Sequence, residues 1–143
     1  MKHTYFLENM EWTADGFYYD EEERRIPLTG QVRVVRNETE WSLDGFLEVQ
    51  TDPPVRFTNR YSIRPTEKKL TLEWESFNPA LGTLKGTFEF IGESIVSYYQ
   101  SEDETYTGTE ILTEKDEKTY YNTGVSFRNG KKMSAWTALL TAR

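Results

Sequence analysis

Apolar and polar residues alternate through this chain from Trp12 to its last residues, and turn residues break the alternation about every 11 or 12 positions. A period of two sends successive side chains to opposite faces of an extended strand. The runs fall at Trp12–Asp20, Ile26–Asn37, Glu40–Val49, Val55–Arg64, Lys69–Phe77, Thr83–Ile91, Ser94–Ser101, Thr105–Thr113, Lys118–Arg128 and Lys131–Ala142. Between them stand Asp52-Pro53-Pro54, Asn78-Pro79, Gly92-Glu93 and Asn129-Gly130, residues that suit tight turns. Asn129-Gly130 is the strongest signal, because both residues accept the positive φ of a two-residue hairpin. Connections this short join only neighbouring antiparallel strands. An open sheet of this length would leave two edges free to aggregate. The expected fold is therefore all-β, an antiparallel up-and-down meander closed into a barrel of about 8–10 strands. Residues 1–11 are the least strand-like and are expected to form a short helical turn or a cap.

With 143 residues the chain is expected to be one domain, residues 1–143, with one core. Apolar residues are only 36% of the chain but aromatic residues are 15%, so few positions bury large areas, as a thin wall around an aromatic interior requires. The net charge of −7 argues against nucleic acid and anionic membranes as partners. Cysteine is absent, which removes disulfides, thiolate nucleophiles and Cys-ligated zinc. Met1–Met10 lacks an apolar run and does not read as a signal peptide, and no stretch approaches the roughly 20 apolar residues of a membrane span. A cytoplasmic location is the expectation. His3 is the only histidine, so neither a Ser-His-Asp triad nor a His-rich metal site is expected, and no phosphate-binding glycine motif occurs. No metal or cofactor is expected. Asp15, Asp20 and Glu21–Glu23 lack the spacing of a calcium loop and read as a solvated turn.

Counting outward from each turn sets the register. A turn at Pro65–Lys68 puts Ile63 opposite Leu70, Tyr61 opposite Leu72 and Asn59 opposite Trp74, with Arg60 facing Glu73 outside. The Pro-Pro turn puts Arg56 opposite Glu48 and Arg60 opposite Asp44, so the row Arg56, Arg60, Arg64 reads as a surface of ion pairs rather than an anion site. A turn at Glu102-Asp103 puts Tyr99 opposite Tyr106 and Ile95 opposite Glu110. Turns at Asp116-Glu117 and Asn129-Gly130 put Glu110 opposite Thr123 and Thr123 opposite Trp136. The expected inner face is then Tyr106, Gly108, Glu110, Leu112; Tyr121, Thr123, Val125, Phe127; and Ser134, Trp136, Ala138, Leu140. Glycines 16, 30, 45, 86, 108 and 124 fall inside strands, where they allow sharp coiling or make room for a neighbouring ring.

Glu110 is the odd member of that face. An ionised carboxylate inside a barrel is costly unless it is paired, hydrogen-bonded or wet. No Lys or Arg falls on the expected inner face beside it, and its expected neighbours are Tyr121, Thr123 and the Trp136 indole. Three readings stay open: a satisfied internal network, a ligand contact, or general acid–base chemistry. Asn59 beside Trp74 is a second polar spot, since a buried amide needs partners and an adjacent aromatic makes a plausible ligand wall. With Tyr61 and Tyr99, the candidate ligand-binding set is Asn59, Tyr61, Trp74, Tyr99, Glu110, Tyr121, Thr123 and Trp136.

A meander of this length with hairpin connections and an aromatic interior resembles the calycin superfamily, the barrels of lipocalins and fatty-acid-binding proteins. The resemblance covers nearly the whole chain and rests on architecture, with no family-specific motif. Trp12 follows Asn9-Met10-Glu11 where lipocalins carry Gly-x-Trp, and Ser134–Leu140 is faintly similar to one avidin strand. The resemblance bears on fold; the closed sheet with polar groups turned inward among aromatics points to a binder or carrier of a small apolar or amphipathic molecule inside the barrel. Two alternatives stand beside it. One is an enzyme with Glu110 as acid or base. The other is a structural module that forms a homodimer through an outer patch of Tyr19, Phe46 and Phe77.

Overall fold

A computed structural model describes residues 3–6, 9–79 and 81–143. It contains β1 (Met10–Tyr19), β2 (Arg25–Arg36), β3 (Trp41–Val49), β4 (Val55–Pro65), β5 (Thr71–Asn78), β6 (Gly82–Ile91), β7 (Ser94–Ser101), β8 (Tyr106–Asp116), β9 (Thr119–Arg128) and β10 (Lys131–Ala142). Each strand pairs antiparallel with the next, and β1 pairs β10 to close the ring. The described residues contain no helix. The fold is the expected closed meander.

The two ends of the barrel differ. At the end where β1 begins, the interior is solid, built from Trp12, Val34, Leu43, Ile63, Leu72, Phe88, Ile95, Leu112 and Tyr120. Residues 3–6 enter this end and cap it without forming a helix. Tyr5 and Phe6 are buried there, with the Tyr5 ring 5.2 Å from Trp12 and the Phe6 ring 4.8 Å from Phe88. Hydrogen bonds pin the cap. The Trp12 indole N–H donates to the Tyr5 carbonyl at 3.2 Å, and the Thr4 hydroxyl donates to the Glu117 carbonyl at 2.7 Å. Tyr120 donates its hydroxyl to buried Glu114 at 2.8 Å and accepts the Thr4 N–H at 3.1 Å. His3 has one ring nitrogen 2.8 Å from that hydroxyl and the other 2.8 Å from the Gly92 carbonyl. The lone histidine is therefore part of the cap.

The β3–β4 register is the expected one, and its ion pairs form on the outside: Arg56–Glu48 at 2.9 Å and Arg60–Asp44 at 2.8 Å. The turn at Asp20 closes on itself, its carboxylate accepting the Glu22 and Arg24 backbone N–H groups and the Arg24 side chain. Other registers depart from expectation. β4 and β5 pair as Tyr61–Ser76, Ile63–Trp74 and Pro65–Leu72, so Arg64 rather than Arg60 faces Glu73, and Asn59 does not meet Trp74. The cause is a wider loop, in which the Thr66 hydroxyl donates to the Thr71 carbonyl and accepts the Lys68 N–H. The slip is even, so each side chain keeps its face. It also leaves residues 55–60 of β4 paired with β3 alone. Between β7 and β8 the slip is two, giving Tyr99–Gly108 and Ile95–Leu112. There Asp103 accepts the Ser101 hydroxyl and the Thr105 N–H, and Glu104 takes a positive φ of 63°.

β9 is the significant correction. The ladder is irregular between Glu114 and Asp116 on one side of β9 and between Lys132 and Ser134 on the other. The β8–β9 turn falls at Glu117-Lys118 and not at Asp116-Glu117, a shift of two of which the bulge takes back one. The β9–β10 bulge adds one, so both counts err by one and agree with each other. Glu110 faces Gly124, Trp136 faces Gly124 from the other side, and the whole strand is flipped. Tyr120, Asn122, Gly124 and Ser126 point inward, while Tyr121, Thr123, Val125 and Phe127 point outward. The outer face of β7–β10 is consequently uncharged at its centre, with Val96, Tyr98, Thr109, Ile111, Tyr121, Thr123, Thr137 and Leu139 adjacent. Of the outer-patch candidates, Phe77 is 68% exposed, while the Arg56 guanidinium covers the Phe46 ring at 3.9 Å.

Candidate functional site

The half of the barrel away from the cap is hollow. A cavity of about 350 Å3 lies within it, lined by Tyr18, Leu28, Leu47, Val49, Phe57, Asn59, Tyr61, Asn78, Leu81, Leu84, Tyr99, Glu110, Ser126, Met133, Ser134 and Trp136. Phe57 is 41% exposed where β4 lacks a β5 partner, which places it at the mouth. A larger groove of about 620 Å3 runs over the outside of β3, β4 and β5. Its walls carry Asp44, Arg60, Arg64 and Glu75, charges of both signs that water already solvates, and Arg60 is already paired with Asp44. The interior is the better candidate, because concave, mostly apolar sites with few polar groups hold small molecules.

Glu110 lies midway along β8, opposite Ser97 of β7 and Gly124 of β9. Two glycines make room for the rings beside it. A side chain at Gly108 would collide with the Tyr99 ring, and one at Gly124 with the Trp136 indole. The rings therefore lie flat against backbone on either side of the carboxyl. The Trp136 indole N–H donates to Asn122 Oδ1 at 2.8 Å, which fixes the amide so that its NH2 group serves as donor. The Asn122 NH2 group donates to the Ile111 carbonyl at 3.4 Å and lies close enough to the Glu110 side chain to favour its charged form. Burial raises the Glu110 carboxyl from 4.5 to about 7, and the Asn122 amide offsets part of that rise. Glu110 still keeps some of its surface on the cavity. The hydroxyls of Tyr61, Tyr99 and Tyr5 are pushed well above the usual phenol range, first by burial and then by the charge of Glu110. Ser126 and Ser134 pair through their hydroxyls at 2.6 Å on the same wall.

Of the residues singled out from sequence, Asn59, Tyr61, Tyr99, Glu110 and Trp136 line this one cavity. Asn59 and Glu110, expected as separate spots, share it. Trp74 stands behind the wall. It is buried, its ring stacks on Tyr61 at 4.5 Å, and its indole N–H donates to Ser97 at 3.0 Å. Tyr121 and Thr123 are outside. Tyr121 is 47% exposed and its hydroxyl accepts from Lys115 at 3.0 Å, because the two bulges turn β9 over. Asn122 and Ser126 take the inward places instead. Sequence reasoning missed them because the outward face of β9 is the more apolar one. That inverted polarity is itself the signal of a strand whose small and polar side chains face the interior. Among the described residues, no group of three or more His, Cys, Asp or Glu converges on one point.

No family model matches the chain, and no curated protein matches it. Among solved structures, the barrel is similar to the S-type phycobiliprotein lyase CPES from Guillardia theta, with 8% sequence identity and a TM-score of 0.59. The likeness covers 92% of this chain and 85% of that one. At this identity it is a likeness of fold.

Proposed function

We propose that the protein binds a small amphipathic molecule in the open half of its barrel. The apolar body of the ligand lies among Tyr18, Leu47, Phe57 and Leu84, and its polar end reaches Glu110 between the Tyr99 and Trp136 rings. The observation that carries this reading is the cavity itself: about 350 Å3, mostly apolar, with one braced carboxyl at its depth. A core selected only for stability would fill such a space, since interiors pack densely. The likeness in fold to a phycobiliprotein lyase supports the reading at the level of architecture. The test is a fluorescence titration with N-phenyl-1-naphthylamine, a neutral apolar probe, against the native chain and Ser126→Phe. Saturable binding that the cavity-filling substitution abolishes supports the proposal. No binding, or equal binding by both proteins, refutes it.

One observation favours a second reading, in which Glu110 moves a proton to or from the bound molecule: its carboxyl is held near neutrality in an open cavity. Chemical change in a bound molecule that is lost in Glu110→Gln while binding persists would select this reading.

A further inference from the structure

The cavity contains one carboxyl, and among the described residues none balances its charge. Among the described residues, Glu110 is the only ionisable acid or base on the lining apart from the tyrosines, and no Lys or Arg lines the cavity. Among the described residues, no ion pair includes Glu110. Its side-chain support, Asn122, is oriented by the Trp136 indole so that it offers donors to a carboxylate. That support favours the ionised form while leaving its countercharge unsupplied. Around it stand Tyr18, Phe57, Tyr61, Tyr99 and Trp136, whose ring faces attract cations.

The geometry points to an organic cation as the ligand class, a protonated amine or amidinium on a flat apolar body, with the Glu110 carboxylate as its counter-ion. This inference rests on the cavity reading above and narrows it. A bare metal ion is a poor occupant, because calcium takes 6–8 oxygen ligands and magnesium keeps near-octahedral geometry, and this lining is largely apolar. An anionic head group would meet Glu110 with like charge and no compensating base. The binding should also depend on pH. The ionisable groups that face Glu110 from neighbouring elements are Tyr5 of the cap, Tyr61 of β4 and Tyr99 of β7, all held well above the phenol range and so neutral near pH 7. β9 and β10 present Asn122 and Trp136, which do not titrate. Glu110 alone sets the dependence.

Three probes that share one body separate the possibilities: 2-naphthylmethylamine, 2-naphthylmethanol and 2-naphthoate, titrated calorimetrically into the native chain and into Glu110→Gln. The amine is expected to bind about tenfold or more tighter than the alcohol, and the carboxylate weaker than both. Glu110→Gln should bring the amine down to the alcohol. Lowering the pH of the native protein to about 5.5 should do the same without any substitution, because the carboxyl is then protonated. If amine and alcohol bind equally, or if the amine keeps its advantage in Glu110→Gln and at low pH, the cation inference falls and the cavity reading stands. If none of the three probes nor N-phenyl-1-naphthylamine binds, the cavity reading falls and takes this inference with it.

Discussion

Glu110→Gln should make the empty protein more stable at alkaline pH. The folded barrel holds this carboxyl at about 7 instead of 4.5, because burial disfavours its charge. Below about pH 4.5 the group is protonated in folded and unfolded chains alike and costs nothing. Between about 4.5 and 7 the folded state keeps a proton that the unfolded chain has released, so this group's contribution to stability falls as pH rises. Above about 7 the full cost is present. At about 1.36 kcal/mol per pH unit, a rise from 4.5 to about 7 corresponds to about 3 kcal/mol. Glu110 keeps part of its surface accessible, and screening there brings the expected value to about 2–3 kcal/mol. Gln keeps the volume and can still accept from Asn122, so the substitution removes mainly the charge. Urea unfolding of both proteins gives the comparison, and the advantage of the variant should grow by about 2 kcal/mol between about pH 5 and pH 8. In thermal scans that is a shift of roughly 6 °C. A variant that is less stable than the native chain at pH 8, or a difference flat in pH, would refute the burial of an unpaired charge. A binding group that costs stability in the empty protein is common at functional sites.

Other consequences follow from the same structure. Gly124→Ala should cost about 1–3 kcal/mol by displacing the Trp136 indole, and most of that cost should vanish in a Trp136→Ala background, read as a double-mutant cycle. Phe6→Ala should lose about 3–5 kcal/mol in urea unfolding, because the ring is buried among Phe88, Trp41 and Phe90 at the capped end. Tyr120→Phe should cost about 1–3 kcal/mol, since buried Glu114 then loses its hydroxyl donor. Arg60→Ala should leave the unfolding midpoint in place, because its ion pair with Asp44 is solvent-exposed.

The architecture was legible because alternation and turn chemistry act locally. Asn129 and Gly130 do take positive φ, and the hairpin they make begins where the pattern puts it. Register was legible only where a turn is as tight as its residues suggest. Thr66 and Asp103 widen two loops through side-chain hydrogen bonds, shifting pairs by even numbers and sparing the faces. The bulges near Lys115 and Met133 shift β9 by one, and a shift of one exchanges inside for outside. No local propensity marks those bulges. The hydrophobic pattern of β9 also pointed the wrong way, because Asn122 and Gly124 face the Trp136 indole and Ser126 faces the cavity. Glu110, by contrast, sits on a strand that slips by an even step against β7, so it keeps the inward direction expected of it. The cap was legible as a cap but not in its contacts, since Tyr5, Thr4 and His3 reach residues about 90 to 120 positions away.

A crystal structure of the chain with 6-bromo-2-naphthylmethylamine tests the central claim most directly, because bromine scatters anomalously and marks the ligand independently of the protein. The account predicts one bromine peak inside the open half of the barrel, with the amine nitrogen within about 3 Å of the Glu110 carboxylate. A barrel whose open half is filled by its own side chains, or a bromine peak only on the outer surface, would contradict it.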